Sequence, residues 1–192
     1  MLTHIRPALV LLLLMTLLTG VVYPAAVTIL ASVLAPAAVE GSLVRRDGVV
    51  VGSALIGQAF SDPGYLQPRP SAGDYNADPS AASNLAPTNA ALVKAVADRV
   101  AAYRAANGVT PPIDAVTTSG SGLDPDISPA NAFRQADRIA AARRATPVQV
   151  LAVLHTQVKG RWLGLFGQDR VNVLAANLAL DASLPKAPAA GN

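Results

Sequence analysis

The sequence lacks cysteine altogether and is poor in the side chains that usually carry catalysis. The absence of cysteine excludes disulfides, cysteine-ligated zinc sites and a lipoprotein anchor. Only two histidines are present, and Glu40 is the single glutamate, so any catalytic carboxylate pair would have to come from aspartates. Charged residues make up 14% of the chain, against a usual quarter, and hydrophobic residues make up 52%. This composition excludes an intrinsically disordered chain and a strongly charged nucleic-acid binder.

A long uncharged run, Pro7–Val39, lies near the amino terminus. A helix that crosses the hydrocarbon core of about 30 Å needs about 20 residues, so this run is long enough. The alternative is a cleaved signal peptide with Leu9–Leu18 as its apolar region. The candidate cleavage site after Ala35 is followed by Pro36, and proline is disfavoured at that position. The sequence therefore predicts a retained transmembrane helix over residues 7–35, whose orientation the nearly balanced basic residues at its two ends do not decide.

Small and hydroxyl residues recur every four positions along this helix, at Thr16, Gly20, Pro24, Thr28 and Ser32. On an α-helix this spacing keeps them near one face, drifting by about 40° per step. Such a stripe allows close approach of another helix in lipid. The alternative interpretation is that the hydroxyl groups only compensate for backbone hydrogen bonds lost at Pro24.

The residues after this helix indicate an α+β domain. Ser42–Ser53 predicts a hairpin, because Asp47-Gly48 supplies turn residues that accept positive φ before a β-branched run. Apolar periodicity and capping residues predict the later elements. Helices are expected over Thr88–Asn107, from Ser128 to about Arg144 and from Thr146 to about Val158, and short strands over Ile113–Thr117 and Arg170–Asp181.

Between the hairpin and the first of these helices lies a proline-rich stretch, Ser61–Pro87. Its proline density is incompatible with a helix or a central strand. The alternative to an ordered loop is disorder, but a disordered loop seldom carries so many apolar anchors. We therefore expect an ordered, irregular segment, anchored by Phe60, Tyr65, Leu66, Tyr75 and Leu85.

Two arrangements of residues are candidates for chemistry. Ser119 or Ser121 with His155 would be needed for a serine hydrolase, although neither serine lies in a nucleophile-elbow motif. The same serines belong to the run Thr118–Pro129, in which Gly120 and Gly122 permit positive φ. Successive backbone N–H groups there would form an anion site, supported by Arg134 and Arg138 on the next helix. The alternative is a tight strand-to-helix connection in which these residues only serve the geometry.

At this loop the sequence resembles one family, the C subunit of the bacterial Kdp-type high-affinity potassium-transporting ATPase. Further blocks match in the right order, and together they cover the chain from the membrane helix to about Asp181. Ordered blocks of this number are far more specific than one short motif. The matching blocks are Gly52–Phe60, Arg69–Ala72, Ser83–Asn89, Gln135 with Arg138 and Arg143, Leu163–Gly167, Arg170–Leu174 and Asn177–Asp181.

The chain departs from the family pattern at a few positions. Ala81, Ala82 and Ala86 stand where the family usually has glycine, and Asp126 stands where it usually has histidine. The alanines argue against a requirement for positive φ at those three positions. The aspartate argues against metal binding or acid–base chemistry by a histidine there.

The resemblance implies one amino-terminal transmembrane helix followed by a compact mixed α/β extracytoplasmic domain with a long proline-rich loop. It implies a single-pass protein of the cell (inner) membrane, with a cytoplasmic tail at 1–6, the outer domain at 40–182 and a loose tail at 183–192. The implied partners are a channel-like potassium-binding subunit, a P-type ATPase subunit and a small membrane subunit. The complex would transport potassium and hydrolyse ATP.

By the same resemblance the chain is a non-catalytic subunit, needed for assembly and described as a catalytic chaperone that raises the ATP affinity of the ATPase subunit. No catalytic or metal-ligating residue is expected. The alternatives are a membrane-anchored extracytoplasmic serine hydrolase and a soluble binding protein. Candidate nucleotide contacts are Ser119, Gly120, Ser121, Gly122 and Arg138, and candidate interface residues are Thr16, Gly20, Thr28, Ser32, Gln58, Arg69, Asn84 and Asn172.

Overall fold

The computed structural model describes residues 4–185, which belong to two compact units divided after Val44. The predicted tail from Lys186 onward lies outside the described residues. The first unit is dominated by one continuous apolar helix, Ile5–Leu34, which is long and apolar enough to cross a membrane. At 1.5 Å per residue it is about 45 Å long, which exceeds the hydrocarbon thickness.

This apolar helix is not uniform along its length. Helix α1 (Ile5–Leu17) passes into a π-helical turn, Leu18–Val22, and then into α2 (Tyr23–Leu34). The Tyr23 N–H donates to the Leu18 carbonyl, five residues back. Pro24 explains the change, because its ring clashes with the carbonyl four residues earlier and it has no N–H to donate. A short helix, α3 (Pro36–Val39), follows.

The predicted hairpin is confirmed. Strands β1 (Leu43–Arg46) and β2 (Val49–Ser53) pair, and both turn residues have positive φ, 51° at Asp47 and 81° at Gly48. No helix or strand lies between Ser53 and Ala90 in the described chain. Residues 54–89 are instead held by turns of their own and by hydrogen bonds to the backbone and side chains of other elements.

The rest of the second unit packs five helices around a small antiparallel sheet with strand order β3-β5-β4. In this sheet Ile127 and Val158 both pair with Val171 on the central strand. The helices are α4 (Ala90–Asn107), α5 (Pro129–Arg134), α6 (Ala136–Arg143), α7 (Pro147–Thr156) and α8 (Val173–Ser183), and the strands are β3 (Asp126–Ile127), β4 (Val158–Lys159) and β5 (Arg170–Asn172).

The core lies between α5–α8 and the sheet. Its members are fully or almost fully buried, and one of them, Leu66, comes from the irregular segment. The others are Ile127, Ala132, Ala136, Ile139, Ala140, Val150, Leu154, Val171, Val173, Ala176 and Leu180.

The helix boundaries follow the capping signals in the sequence. Asn89 caps α4, which stops where Gly108 adopts φ 70°. Ser128 caps α5 by accepting from the Asn131 N–H, and Pro129 occupies the first turn. At the start of α7, Thr146 and Gln149 form the predicted capping box.

Two of the predicted strands are wrong. Ile113–Ala115 is a 3₁₀ turn in which the Thr117 N–H and hydroxyl both donate to the Ile113 carbonyl, so the segment closes on itself. Within Arg170–Asp181 only the first three residues form a strand. The Asn172 side chain then accepts from the Ala175 N–H and starts α8. The buried positions of α8 recur at helical spacing, which Val171 before the helix and Val173 at its start, both β-branched, obscured.

Two helix predictions need correction in their extent. The helix expected from Ser128 to Arg144 is divided at Gln135, whose side chain turns towards the irregular segment. The helix that starts after Thr146 ends at Thr156, so Val158 lies in β4 instead of on its apolar face.

Candidate functional site

Two buried amides hold the middle of the irregular segment. Asn177 on α8 accepts a hydrogen bond from the Leu66 N–H at 2.7 Å and donates to the Leu66 carbonyl at 3.0 Å. Gln135, between α5 and α6, makes the same two bonds to Gln67, at 2.9 and 3.2 Å. Each amide thus bonds both the N–H and the carbonyl of one residue, as a hydrogen-bonded partner residue in an antiparallel ladder would. These bonds satisfy the backbone of a residue, Leu66, that is 0% exposed.

Next to these amides lies an ion pair between Arg143 and Asp181. The Arg143 Nη2 donates to Asp181 Oδ1 at 2.9 Å, and its Nε donates to the Gly64 carbonyl at 2.7 Å. Asp181 also accepts from Arg46 at 2.7 Å and from the Tyr65 hydroxyl at 2.9 Å. Burial by itself raises the pKa of Asp181, but the hydrogen bonds from these three donors outweigh it, and the net pKa lies below its ordinary value. The carboxylate therefore stays ionised and joins three parts of the domain.

Arg138 anchors the start of the same segment. It donates to the carbonyls of Pro63, at 2.5 Å, and Tyr65, at 3.1 Å, and to the Gln135 side chain at 2.6 Å. Burial lowers the pKa of Arg138 from its ordinary value. The sequence pattern predicted this guanidinium beside the loop at 119–122, whereas in the structure it holds residues 63–65.

The serine-glycine loop is closed by its own hydrogen bonds. The Gly122 N–H donates to the Ser119 carbonyl at 3.2 Å, and the Leu123 N–H donates to Ser121 Oγ at 3.1 Å. The Asp124 N–H donates to Ser119 Oγ at 3.3 Å, and the two serine hydroxyls lie 3.1 Å apart. An anion nest needs N–H groups that point outwards without partners. The loop already engages these three, which favours the interpretation as a tight structural connection.

The two glycines of this loop play different parts. Gly122 has φ 72°, and a Cβ there would lie 2.7 Å from the Ala81 carbonyl oxygen and 3.2 Å from Ser71 Oγ. Gly120 does not have positive φ, and a Cβ there would meet nothing within 4 Å. Only Gly122 is therefore required by the backbone. The expectation for the alanines is confirmed, because Ala81, Ala82 and Ala86 all lack positive φ.

The hydrolase alternative has no geometric support. His155 is exposed on α7 and stacks on Phe133, with ring centroids 4.4 Å apart. The hydroxyls of Ser119 and Ser121 contact each other and nearby backbone N–H groups. The structure therefore does not bring a nucleophile and a base together at these residues.

Three of the candidate interface residues serve the fold of the chain itself. Asn172 is 6% exposed, caps α8, and donates to the Ala54 carbonyl at 3.0 Å. The Arg69 Nη1 donates to Asp124 Oδ2 at 2.9 Å, and Gln58 donates to the Val51 carbonyl at 3.0 Å. Their matching positions in the family pattern are thus explained by internal contacts.

The other candidates are exposed. Asn84 lies on the surface with φ 52°, a conformation that asparagine accepts more readily than most residues. On the apolar helix the side-chain hydroxyl of Ser32 donates to the Thr28 carbonyl at 2.7 Å. Pro24 leaves the carbonyl four residues earlier, at Gly20, without its usual N–H donor, so this bond does not repair that loss. The four interface candidates on the stripe are all exposed, namely Thr16, Gly20, Thr28 and Ser32.

A charged cavity of about 250 Å³ lies beside β3 and β5. Three of its four aspartates have partners: Asp124 pairs with Arg69, and the Arg170 Nε lies 3.0 Å from Asp126 Oδ2. Asp114 accepts from the Ser128 N–H and hydroxyl. Within residues 4–185 no three histidine, cysteine, aspartate or glutamate side chains are placed to hold a metal ion.

Sequence reasoning missed the amides that clamp the irregular segment. Gln135 and Asn177 entered only as parts of matching blocks, without a role. A buried amide in the middle of an apolar helical face was the available signal, because such a group needs hydrogen-bond partners. Its partners, Leu66 and Gln67, lie too far away in sequence for any local pattern to identify them.

The described residues thus define a class of protein: a small α+β domain on a chain that begins with one membrane-length apolar helix. Comparison with known proteins specifies the class further. The family model described as "K+-transporting ATPase, c chain" matches residues 5–182, which include both units. The chain therefore belongs to this family, the KdpC family of potassium-transporting ATPase subunits.

Individual relatives agree with this assignment. A potassium-transporting ATPase KdpC subunit of Cereibacter sphaeroides strain KD131 is 60% identical over 183 residues, covering 95% of this chain and 99% of the relative. The corresponding protein of Caulobacter vibrioides strain NA1000 is 54% identical over 189 residues, covering 96% of each chain. That of Sorangium cellulosum is 53% identical, covering 95% of this chain and 100% of the relative.

Proposed function

We propose that this chain is a non-catalytic accessory subunit of an ATP-driven potassium uptake complex. Its role is to assemble and stabilise a channel-like subunit, a P-type ATPase subunit and a small membrane subunit. The observation that carries the proposal is the family match, which extends through the membrane helix and the domain together. A relative that shared only the domain would not support a role within the membrane.

The internal hydrogen bonding of the domain supports an assembly role over a chemical one. The buried polar side chains that could act on a ligand bind the chain's own backbone instead. Arg138 and the serine-glycine loop, the candidate nucleotide contacts, are engaged in the same way. The proposal therefore assigns the chain no direct contact with ATP. Any effect on the ATP affinity of the ATPase subunit would have to act through protein contacts.

The stripe on the membrane helix supports contact with another helix. Gly20 lies in the π-helical turn, and a Cβ there would meet nothing within 4 Å, so its small size is not required by this chain. A π-helical turn contains more residues than an α-helical turn. Residues spaced by four on an α-helix shift by about 40° around the axis at each step, and the wider π-helical turn offsets part of this shift. It therefore brings Thr16 and Thr28 closer to the same face of the helix. Lipid offers no hydrophobic drive for helix association, so close packing at small residues has to supply it.

Replacement of Gly20 or Ser32 by leucine tests this interface. Both variants keep the helix apolar and insertable, but they block close approach. We expect loss of copurifying partner subunits and poor growth at limiting potassium, with membrane insertion unchanged. Leu14→Val and Leu30→Val, which lie on the other side of the helix from Thr16 and Ser32 respectively, are the matched controls and should be nearly silent. Wild-type yield of the partner subunits with Gly20→Leu and Ser32→Leu would exclude the stripe as the interface.

The proposal also places the chain in the inner membrane as a single-pass protein, with the domain outside the cytoplasm. Carbonate washing should leave the protein in the membrane, because the proposal keeps the apolar helix Ile5–Leu34 as a membrane anchor. Protease added outside spheroplasts should digest the domain. Protection of the domain in intact spheroplasts, together with digestion after lysis, would reverse the proposed orientation.

A further inference from the structure

The connection between β4 and β5 displays a compact apolar tip, defined here by residues Trp162–Phe166. Four of its five side chains are large and apolar, and all four are mostly exposed: Trp162 68%, Leu163 71%, Leu165 75% and Phe166 60%. Apolar patches of several hundred Å² on a soluble domain usually mark a site of interaction. The core of the domain does not need these side chains, because they contribute nothing to it.

The tip is preformed. The Trp162 N–H donates to the Phe166 carbonyl at 2.9 Å, and the Phe166 N–H returns a bond of 3.0 Å to the Trp162 carbonyl. Gly164 and Leu165 donate to the carbonyls of Arg161 and Trp162, both at 3.1 Å. Four backbone N–H groups are therefore already paired, and burial of the tip would not leave them without partners. The two aromatic rings support each other, with centroids 5.7 Å apart.

The turn itself has a fixed and unusual shape. Leu163 has φ 53° and Gly164 has φ 73°, and a leucine in the left-handed region is uncommon. A lipid bilayer accepts apolar side chains in almost any arrangement, so it gives no reason for a shape of this kind. A pocket in a protein requires complementary shape, and a preformed tip loses less conformational entropy when it binds.

Cationic residues flank the tip. Lys159 and Arg161 are both exposed, and neither forms an ion pair within the part of the chain that the structure describes. An apolar centre with aromatic anchors and a charged rim is the usual composition of a protein interface hot spot. The rim predicts acidic side chains on the partner.

We propose that the Trp162–Phe166 tip docks into an apolar, acid-rimmed pocket on another subunit of the potassium-transporting complex. This inference rests on the proposed function, because it needs a partner subunit. It adds a second attachment point, in the domain, to the one proposed in the membrane. Trp162 and Phe166 are the anchors, and Arg161 provides the charge at the rim.

The absence of cysteine from the chain allows a direct test. Leu165→Cys places a single thiol at the tip, and Val148→Cys, at a position that is also 75% exposed, is the matched control. Each full-length variant is reconstituted in vesicles, alone or with the other subunits, and treated with a maleimide-polyethylene glycol. The mass shift of this chain on a gel then gives its labelling rate. We expect labelling at 165 to slow by roughly tenfold or more on assembly, and labelling at 148 to change little.

Two results would overturn the proposal. Unchanged labelling at 165 in a complex that copurifies normally means that the tip is not buried, and the proposed function would still stand. Slow labelling at 165 in vesicles without partners means that the tip enters lipid or contacts a second copy. Failure of the wild-type chain to copurify any subunit would instead refute the proposed function.

Substitution of the anchors provides an independent measurement. Trp162→Ala with Phe166→Ala should lower the yield of partner subunits at least severalfold, while the isolated chain melts like the wild type because both side chains are exposed. Arg161→Glu should lower the yield as well, and Arg161→Lys should restore most of it. Wild-type yield from the double alanine variant would refute a role of the tip in docking.

Discussion

Replacement of Gly122 by alanine perturbs the backbone at one defined place. Gly122 has φ 72°, and the added Cβ would lie 2.7 Å from the carbonyl oxygen of Ala81, which is a backbone atom and cannot rotate away. It would also lie 3.2 Å from Ser71 Oγ. That hydroxyl accepts from the N–H groups of Gly73 and Tyr75, so moving it would disturb a second loop.

The expected cost has two parts. An alanine in the left-handed region costs roughly 1–2 kcal/mol relative to glycine. Relief of an overlap with fixed neighbours costs a further 1–3 kcal/mol or so. A total of about 3 kcal/mol in a domain of this size would lower the melting temperature by roughly 6–12 °C.

The assay is thermal unfolding of the full-length chain in detergent, followed by circular dichroism, with Gly120→Ala as the control. Gly120 lies two residues away in the same loop, lacks positive φ and has open space where a Cβ would stand. The free energy of unfolding of the Gly120→Ala variant should differ from that of the wild type by less than about 0.5 kcal/mol. Equal melting temperatures for Gly122→Ala and the wild type would refute the argument from strain and overlap. An equal fall in melting temperature for Gly122→Ala and Gly120→Ala would show that the loop responds to any added methyl group.

Two further predictions concern Asp181 and Asn177, two of the side chains that hold the irregular segment in place. Asp181→Asn should lower the free energy of unfolding by about 2–3 kcal/mol at neutral pH, because it removes the charge that compensates the buried Arg143. Since the folded-state pKa of Asp181 is depressed, its contribution is complete above the ordinary aspartate range and is lost as pH falls through the folded-state value. Melting curves of variant and wild type should therefore converge as the pH falls through the depressed folded-state pKa, and a difference that persisted in strong acid would contradict the assignment. Asn177→Leu should cost about 2–5 kcal/mol in denaturant titrations, because it leaves the buried N–H and carbonyl of Leu66 unpaired. As a control, Lys94→Ala removes the exposed ion pair between Lys94 and Asp98 and should cost less than about 0.5 kcal/mol. If Lys94→Ala and Asn177→Leu cost the same, the proposed role of Asn177 in holding Leu66 is wrong.

The sequence by itself determined the features that depend on neighbouring residues. The apolar helix, the turn at Asp47-Gly48, the stop at Gly108 and the capping box at Thr146 are all local, because the groups that satisfy each backbone lie within a few positions. The family resemblance added what local physics does not provide, namely the membership in a transporter subunit family that the comparisons then showed.

Only the tertiary structure decided the parts whose partners are distant. Residues 171–174 are rich in β-branched and apolar side chains, and only the packing of α8 showed that the chain turns into a helix after Asn172. Arg138 was expected at the serine-glycine loop, but its partners at residues 63–65 are more than 70 positions away. The irregular segment has no ladder of its own, so its path is set by Gln135, Asn177 and the arginines of α6. Hydrogen bonds of that kind join atoms that only the folded chain brings within hydrogen-bonding distance of each other, and no periodicity in the sequence encodes them.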